Sequence, residues 1–179
     1  MTKEQLRKEL HSIRNGLKDT ISASHQIAKL IAREPFFQNA GTVMLYYAIK
    51  SEIVTDFLWE KCVDEGKICL FPKCISKTEM IAVRAESKTE FQTGAYGIME
   101  PISSTAYPKE KIDLIIVPGL GFDKEKFRIG YGAGYYDRYL SDYTGISVGL
   151  CREALLKESV FPASHDVKLS YIATEKQIF

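Results

Sequence analysis

The residues best suited to chemistry lie together in one segment, RIGYGAGYYDRYL, at positions 128–140. Glycine occupies every second position from 130 to 134, with Arg128 before the run and Asp137 after it. Glycine lets backbone N–H groups approach an anion closely because no Cβ intervenes. An arginine can neutralise phosphate oxygens, and a carboxylate can hold the Mg²⁺ that accompanies a nucleotide. The segment therefore predicts a phosphate-binding loop.

The glycine spacing itself differs from the known nucleotide-binding fingerprints. Dinucleotide-binding proteins carry G-x-G-x-x-G and P-loop proteins carry G-x-x-x-x-G-K-[ST], whereas this segment is G-x-G-x-G. Spacing alone leaves a plain turn as an equal alternative. The phosphate interpretation is favoured by the flanking Arg128 and Asp137.

The elements that must position this loop alternate between helices and short apolar strands. Thr2 and Gln5 form a capping box that predicts a helix start, and apolar residues at three- and four-residue spacing continue that helix to Leu17. A strand over 67–71 is predicted to end at Pro72, and Tyr139 is expected to pack a late helix onto the sheet. Further helices are predicted at 24–33, at 54–64 and from 134 onward, and further strands at 43–48, 80–86, 112–118, 146–150 and 171–175. This alternation indicates an α/β layered fold with a largely parallel sheet.

The composition is typical of an ordinary globular domain. The chain has 179 residues, 45% of them hydrophobic and 26% charged, which is enough for one buried core. A net charge of +1 lacks the basic excess of general nucleic-acid or membrane-surface proteins, so neither partner is expected.

The cysteines and the N-terminus point to a reduced compartment. The four cysteines form no CxxC pair and the three histidines are scattered, which argues against a structural zinc site and a disulfide framework. MTKEQLRKEL lacks the apolar core of a signal peptide, and no run approaches transmembrane length. A cytoplasmic location is expected.

Lys3, Arg7 and Arg14 form a basic stripe on the first predicted helix. Spacing alone favours a solvated surface for all three residues.

Six ordered blocks of sequence carry a resemblance to a known family. They are KEQLR at 3–7, YYAIKSEIVT at 46–55, LFPK at 70–73, GAYGIMEP at 94–101, VPGLGFDKEKFRIGYGAGYYDRYL at 117–140 and PASHD at 162–166. Together they resemble the 5-formyltetrahydrofolate cyclo-ligase family, also called 5,10-methenyltetrahydrofolate synthetase, and the block at 117–140 is highly specific. The resemblance implies that ATP and 5-formyltetrahydrofolate are converted to 5,10-methenyltetrahydrofolate, ADP and phosphate.

The resemblance also implies an architecture. It is a single-domain three-layer α/β/α fold over residues 1–179, with a largely parallel sheet, similar to the sugar-phosphate isomerase/CoA-transferase-like fold. A monomer acting on small molecules is expected.

Site residues follow from the matching positions. Lys3 and Arg7 are implied to contact ATP, Arg7 also reaching toward the folate, while Arg14 stays a surface residue. Tyr47 and Glu52 are implied to contact the folate, and the Glu52 carboxylate suits the donor-rich edge of a pterin. The implied ATP loop comprises Arg128, Ile129, Gly130, Tyr131, Gly132, Ala133, Gly134, Tyr135 and Tyr136. Its members that also border the folate are Tyr131, Gly132, Ala133, Gly134 and Tyr135. The implied Mg²⁺ ligands are Asp137 and Asp166.

The chain departs from the family pattern at a few positions. Lys126 stands where the pattern has glycine, which predicts a different turn after residue 122. Ala133 stands where relatives often carry Gly or Lys, so a lysine's contribution to phosphate binding is missing. The residues before His-Asp are often acidic in relatives, and their replacement by Ala163 and Ser164 weakens the second metal position at Asp166.

Two other functions remain open from the sequence. A sugar-phosphate isomerase-like enzyme of the same fold would need no ATP, and the pairing of Arg128 with Asp137 would then lack a purpose. A non-catalytic folate- or nucleotide-binding relative would keep Tyr47 and Glu52 but would tolerate loss of the metal ligands.

Overall fold

The computed structural model describes residues 1–179, apart from the side chain of Ala95, and forms five α-helices and eleven strands in that range. The helices are α1 (Lys3–Gly16), α2 (Thr20–Ile31), α3 (Pro35–Gln38), α4 (Asp56–Asp64) and α5 (Tyr135–Leu140). The strands are β1 (Thr42–Met44), β2 (Ile68–Cys74), β3 (Met80–Arg84), β4 (Phe91–Thr93), β5 (Met99–Pro101), β6 (Leu114–Val117), β7 (Gly121–Asp123), β8 (Arg128–Ile129), β9 (Ile146–Leu150), β10 (Leu156–Lys157) and β11 (Tyr171–Ala173). Helices and strands alternate through most of the chain, as the apolar pattern predicts.

Six strands form the central sheet in the order β11-β9-β6-β1-β2-β3. Every neighbouring pair is parallel except β2 and β3, which are antiparallel. All four residues of β6 are buried, as expected of a strand in the middle of a parallel sheet covered on both faces. The prediction of a largely parallel sheet is confirmed.

Neighbouring side chains of a strand point to opposite sides of the sheet, so the buried strands present apolar side chains on both faces. Helices cover both of these faces. In β6, Leu114 and Ile116 pack in the cluster that contains α2, α3 and α4, while Ile115 and Val117 pack in the cluster that contains α1 and α5. Burying one such aliphatic side chain stabilises the fold by about 1.5–3 kcal/mol. Tyr139 belongs to the second cluster, as predicted. The three-layer α/β/α arrangement is confirmed.

Helix α1 begins at the predicted capping box. The Thr2 hydroxyl accepts from the Gln5 amide at 3.2 Å, and the Gln5 side chain accepts from the Thr2 amide at 2.8 Å. Leu6 and Leu10 are buried against the sheet. This docking fixes the rotation of the helix and therefore the direction of its basic stripe.

Strands β1 and β2 end at other residues than predicted, and each difference has a structural reason. β1 ends at Met44 rather than at residue 48, because the chain leaves the sheet and the Tyr46 carbonyl accepts from the Thr55 hydroxyl instead of a neighbouring strand. β2 does not end at Pro72. Pro72 lies opposite Ala82, whose carbonyl bonds the Tyr107 amide on the other side, so the ladder needs no N–H donor from Pro72.

The hairpin of β7 and β8 is an element that the sequence pattern did not predict. It pairs with β10 in a separate three-stranded sheet. Its turn places Lys126 in the left-handed conformation, with φ of 72°. Glycine favours this conformation, so a glycine-type turn is present although the residue is lysine. The Lys126 ammonium donates to the Ser170 carbonyl at 3.1 Å.

No helix in the described part of the chain combines the length and apolarity needed to cross a membrane.

Candidate active site

The glycine loop, defined here as residues 130–134, connects β8 to α5. It lies beyond the carboxyl end of β6, since the β7–β8 hairpin follows that strand directly. Ligands of open α/β sheets bind outside the carboxyl ends of their parallel strands. The segment that follows β1, residues 45–55, emerges at the same edge because β1 and β6 are parallel neighbours. The two segments therefore face each other.

Each glycine of the loop has its own reason to be glycine. Gly132 and Gly134 have φ of +108° and +70°, which L side chains rarely adopt. A Cβ on Gly130 would lie 2.6 Å from Nη1 of Arg128. The loop backbone is thus exposed without side chains over a short stretch, as close approach to an anion requires.

Cations from two distant segments converge on this loop. From α1, Arg7 Nε donates to the Gly130 carbonyl at 3.0 Å. From β8, the buried Arg128 donates through Nη2 to Asp137 Oδ2 at 2.8 Å. Burial lowers the pKa of Arg128 and the neighbouring Asp137 opposes that effect, so the guanidinium remains charged. Two guanidinium groups are therefore fixed beside the loop, one of them paired with Asp137.

Three buried polar atoms beside the loop have no hydrogen-bond partner within the described residues. They are Arg128 Nε, the Tyr136 hydroxyl and Asp137 Oδ1. Buried polar groups in folded proteins nearly always have partners. The Arg128 guanidinium also lies over the Tyr136 ring, at 5.4 Å from its centre. Such a group of unpartnered atoms is suited to a polar ligand.

Asp166 is joined to α1 through Lys3, and its carboxylate is already engaged. Its Oδ2 accepts from Lys3 Nζ and from the Ala163 amide, the latter at 2.7 Å. Burial opposes ionisation of Asp166, but the bonds from Lys3 and Ala163 outweigh it and hold the pKa of this carboxyl below its usual value. Lys3, which is predicted to contact ATP, and Asp166, which is predicted to bind Mg²⁺, are thus paired with each other.

Glu52 forms the other end of the site. It is buried, its Oε1 accepts from the Tyr131 hydroxyl at 2.7 Å, and its Oε2 accepts from the Ile49 amide at 2.9 Å. Burial raises the pKa of Glu52, while the Ile49 and Tyr131 bonds and the charge of Arg14 oppose the rise. Tyr131 belongs to the glycine loop, so one side chain joins the predicted phosphate and folate regions.

The prediction that Arg14 is a surface residue is wrong. Arg14 is 5% exposed, and its Nη1 donates to the Tyr131 hydroxyl at 2.8 Å. Its Nε donates to the carbonyl and the hydroxyl of Ser51, both at 3.1 Å. Arg14 follows Arg7 by seven residues, or two helical turns, so both lie on one face of α1. That spacing was the available signal, but burial depends on where α1 docks.

The remaining predicted residues lie at the borders of this arrangement. Ile129 is buried, its carbonyl accepts from the Leu120 amide, and it pairs with Gly121 in the β7–β8 ladder, so it supports the loop from the hairpin. Tyr47 is half-buried with its ring centre 5.4 Å from that of Phe91, away from the Glu52 bonds. Ala133 is exposed, and its carbonyl accepts a hydrogen bond from Arg138 Nη2 at 2.7 Å.

Tyr135 borders the loop on the side of β2 and β3. Its hydroxyl donates to the Ser76 carbonyl at 2.8 Å and lies 3.4 Å from the Tyr96 hydroxyl. The sequence pattern did not single out Tyr96 or Arg138, because neither belongs to a spacing with recognised chemistry.

The carboxylates present could hold a metal only together with a ligand. The described residues contain no group of three or more His, Cys, Asp or Glu side chains arranged around a cation. Mg²⁺ is commonly bound by one or two carboxylates together with substrate phosphates and water. The unpartnered, buried Oδ1 of Asp137 fits such a role.

Comparison with known proteins gives one consistent result. The model of the 5-formyltetrahydrofolate cyclo-ligase family matches residues 1–175. A probable 5-formyltetrahydrofolate cyclo-ligase of Schizosaccharomyces pombe is 33% identical, covering 99% of this chain and 97% of that protein. The 5-formyltetrahydrofolate cyclo-ligase of Mycoplasma pneumoniae is 34% identical, covering 80% of each chain.

Solved structures agree with these sequence matches. The structure of Aquifex aeolicus 5,10-methenyltetrahydrofolate synthetase superposes with a TM-score of 0.87 at 31% identity, covering 99% of this chain and 92% of that one. A 5,10-methenyltetrahydrofolate synthetase from Mycoplasma pneumoniae superposes with a TM-score of 0.80 at 28% identity, covering 98% and 99%.

Proposed function

The chain belongs to the 5-formyltetrahydrofolate cyclo-ligase family, and we propose that residues 1–179 form one cyclo-ligase domain that converts 5-formyltetrahydrofolate and ATP to 5,10-methenyltetrahydrofolate, ADP and phosphate. One observation carries this proposal within the site. The glycine loop that presents Arg128 and Asp137 also supplies Tyr131 to the buried Glu52. A phosphate site and a site for a flat, donor-rich ring thus share a single loop.

The chemistry explains why such a junction is needed. The N5 formyl oxygen is an amide oxygen and a poor leaving group. Transfer of the γ-phosphoryl group of ATP to this oxygen forms an O–P bond, breaks the bond to the β-phosphate and releases ADP. N10 of the same folate then attacks the formyl carbon and gives up its proton to solvent, and the C–O bond breaks as phosphate leaves with the original formyl oxygen. The second step is intramolecular, so orientation of the folate dominates it.

The phosphoryl transfer depends on positioning and on neutralising charge. Lys3, Arg7 and Arg128 would neutralise the phosphates, while the backbone amides of the glycine loop would hold their oxygens. Lys3 would exchange its bond to Asp166 for a phosphate oxygen. The near-neutral net charge of +1 supports small-molecule substrates rather than nucleic acid or a membrane surface, and a cytoplasmic monomer is proposed.

Asp137 would hold magnesium. Its Oδ1 is buried without a partner among the described residues, and its Oδ2 accepts a hydrogen bond from Arg128. When bound, magnesium adds positive charge at the phosphates. Asp166 is the second candidate ligand: its charge acts on Arg128, and Lys3 and Ala163 both donate to Oδ2, which leaves Oδ1 with only His165 at 3.6 Å among the described residues.

The folate would lie between the glycine loop and residues 47–52. The Glu52 carboxylate would accept N–H bonds from the pterin, since carboxylates are acceptors only. Tyr47 and Tyr135 would border the rings. Enclosure there would protect the phosphorylated intermediate from water.

The direct test is a spectroscopic assay with 5-formyltetrahydrofolate, ATP and Mg²⁺. The methenyl product absorbs in the near ultraviolet and the substrate does not, so absorbance should rise with time. Omitting ATP should abolish the rise. If calorimetry showed that the protein binds the folate but the absorbance did not change on adding ATP, the protein would instead be a non-catalytic relative.

A further inference from the structure

Arg14 is a buried cation on α1 that the proposed reaction does not use. Its three hydrogen bonds reach two segments: one goes to the Tyr131 hydroxyl in the glycine loop at 2.8 Å, and two go to the carbonyl and hydroxyl of Ser51 at 3.1 Å. Its Nη2 is buried without a hydrogen bond and lies 4.0 Å from Oε1 of Glu52. Arg14 therefore touches both sides of the folate region.

Stability alone does not explain an arginine at this position. Removing a guanidinium from water is costly, and a buried ion pair is often no more stable than apolar residues of similar volume. Nη2 of Arg14 also has no acceptor among the described residues. An apolar side chain could pack against Leu10 and the sheet at less cost. The residue is better explained by what it orients.

Its contacts fix the hydroxyl of Tyr131. Tyr131 accepts from Arg14 Nη1, so its only proton is directed to Glu52 Oε1, at 2.7 Å. The Ile49 amide holds the second oxygen, Oε2, at 2.9 Å. Glu52 is thereby held from both sides and its plane is defined.

We propose that Arg14 is a positioning residue of the folate site, which holds Tyr131 and the Glu52 carboxylate in the arrangement that accepts the N–H groups of the pterin. This inference rests on the proposed function. It assigns Arg14 no contact with ATP, because its bonds go to Ser51 and Tyr131 rather than to the loop backbone.

The charge of Arg14 gives the proposal a second, measurable consequence. Burial raises the pKa of Glu52, and Arg14 opposes that rise. Without Arg14 the pKa of Glu52 rises further, so a larger fraction is protonated near neutral pH. A protonated Glu52 accepts fewer bonds from the pterin. Folate binding by such a variant should weaken at neutral pH and recover as pH increases.

Other ionisable groups near Glu52 do not produce this pH dependence. Those that face it or line the same small cavity, from the other elements around it, are Tyr131, Tyr46, Tyr136, Cys151 and Arg152. Burial raises the pKa of the three tyrosines and of the Cys151 thiol far above neutrality, and arginine stays charged. His11 is the exception to control for. Burial and then Arg14 and Lys50 lower its pKa, and its ring centre lies 6.0 Å from that of Tyr131.

The test measures folate affinity by titration calorimetry with 5-formyltetrahydrofolate between about pH 6 and about pH 9. Arg14→Gln should weaken binding by about tenfold or more at neutral pH, the loss expected when a charged hydrogen-bonding group is removed. The loss should shrink toward pH 9. Arg14→Lys keeps the charge, so its smaller loss should not vary with pH. ATP affinity should remain within about threefold of wild type in both.

Two further variants make the result specific. Arg84→Gln removes the same charge from an exposed residue outside the site and should leave folate affinity unchanged. The double variant His11→Gln with Arg14→Gln should reproduce the pH curve of Arg14→Gln, whereas a flat curve would overturn the role of Glu52. If Arg14→Gln does not fold by circular dichroism, Arg14→Lys and Tyr131→Phe replace it, and both should weaken folate binding more than ATP binding.

Wild-type folate affinity in Arg14→Gln, or a loss of equal size at every pH, would overturn the inference. Failure of the proposed function looks different. In that case wild-type protein would bind the folate without forming methenyl product from ATP, and the affinities of the Arg14 variants would still decide the positioning role.

Discussion

At the scale of single residues, the site uses two carboxylates in opposite surroundings. Asp137 pairs with the Arg128 guanidinium at 2.8 Å, whereas Glu52 is enclosed so that burial is the largest influence on its pKa. An ion-paired carboxylate with one unpartnered oxygen suits a cation. A buried carboxylate that already accepts from a hydroxyl and an amide suits neutral N–H donors. Substitution of each carboxylate is therefore expected to impair a different step, metal-dependent turnover for Asp137 and folate binding for Glu52.

Asp137→Asn should lower turnover at ordinary Mg²⁺ concentrations. The amide is a poorer metal ligand than the carboxylate. Mutating a residue that only supports a metal ligand typically lowers metal affinity or activity by about 10–100-fold, so losing the ligand itself should lower turnover by about tenfold or more. The change also leaves Arg128 without its carboxylate, so thermal unfolding must be measured alongside. Asp142→Asn is the control, because Asp142 is exposed and pairs with Lys109 outside the site. Wild-type turnover in Asp137→Asn would remove Asp137 from the metal assignment.

Glu52→Gln should weaken folate binding and leave ATP binding intact. The amide retains one acceptor for the Tyr131 hydroxyl but loses the charge and the second acceptor. Losing hydrogen bonds to a charged group predicts about a tenfold or larger increase in the folate dissociation constant. Calorimetric titration with each ligand separately measures this. Loss of ATP affinity instead would assign Glu52 to the nucleotide.

At the scale of elements, the glycine loop and α1 must keep one relative position. Arg7 Nε bonds the Gly130 carbonyl at 3.0 Å, and Arg14 bonds Tyr131 one residue later. The two arginines therefore attach α1 to the loop along two helical turns. The loop conformation itself is fixed by the positive φ of Gly132 and Gly134.

Gly132→Val should reduce ATP affinity strongly. Gly132 has φ of +108°, and a side chain there strains the backbone by about 1–3 kcal/mol. Because ATP binding requires the loop to keep this shape, the ATP dissociation constant should increase by about tenfold or more. The branches would also extend toward Arg7, whose Cζ lies 3.9 Å from the Cβ position. Gly16→Val is the matched control, because no atom lies within 4 Å and its φ is ordinary. Unchanged nucleotide affinity in Gly132→Val would be incompatible with phosphate binding by this loop.

The elements that the sequence predicts well are those decided locally. The apolar run at 112–118 contains β6, and the Thr2–Gln5 capping box begins α1. Strands β7, β8 and β10 have two or three residues each and form through distant pairing, so no local pattern marks them. The continuation of β2 past Pro72 depends on its register with β3. Local periodicity does not encode that register.

The candidate site shows the same division. Arg128, Asp137 and the glycines were suggested by residue types in one short segment. The contact of Tyr131 with Glu52 joins positions 79 residues apart, and the burial of Arg14 depends on how α1 docks. Both are consequences of packing. Packing creates both by bringing the helix and the loop to the same edge of the sheet.

At the scale of the whole molecule, the fold brings three separate segments to one edge. These are the basic face of α1, the segment after β1 that holds Glu52, and the glycine loop. The parallel sheet places the second and third at its carboxyl edge, and burial of Leu6 and Leu10 docks the first. This convergence supports a reaction in which a phosphoryl group meets the formyl group of a bound folate.

The central claim is that the γ-phosphoryl group is transferred to the formyl oxygen, and isotope transfer measures this most directly. 5-Formyltetrahydrofolate carrying ¹⁸O in its formyl group would be converted with unlabelled ATP and Mg²⁺, and the released phosphate analysed by mass spectrometry. The account predicts one ¹⁸O atom in the phosphate for each methenyl product, because the C–O bond breaks and the O–P bond remains. Unlabelled phosphate, with the isotope recovered in water, would contradict it.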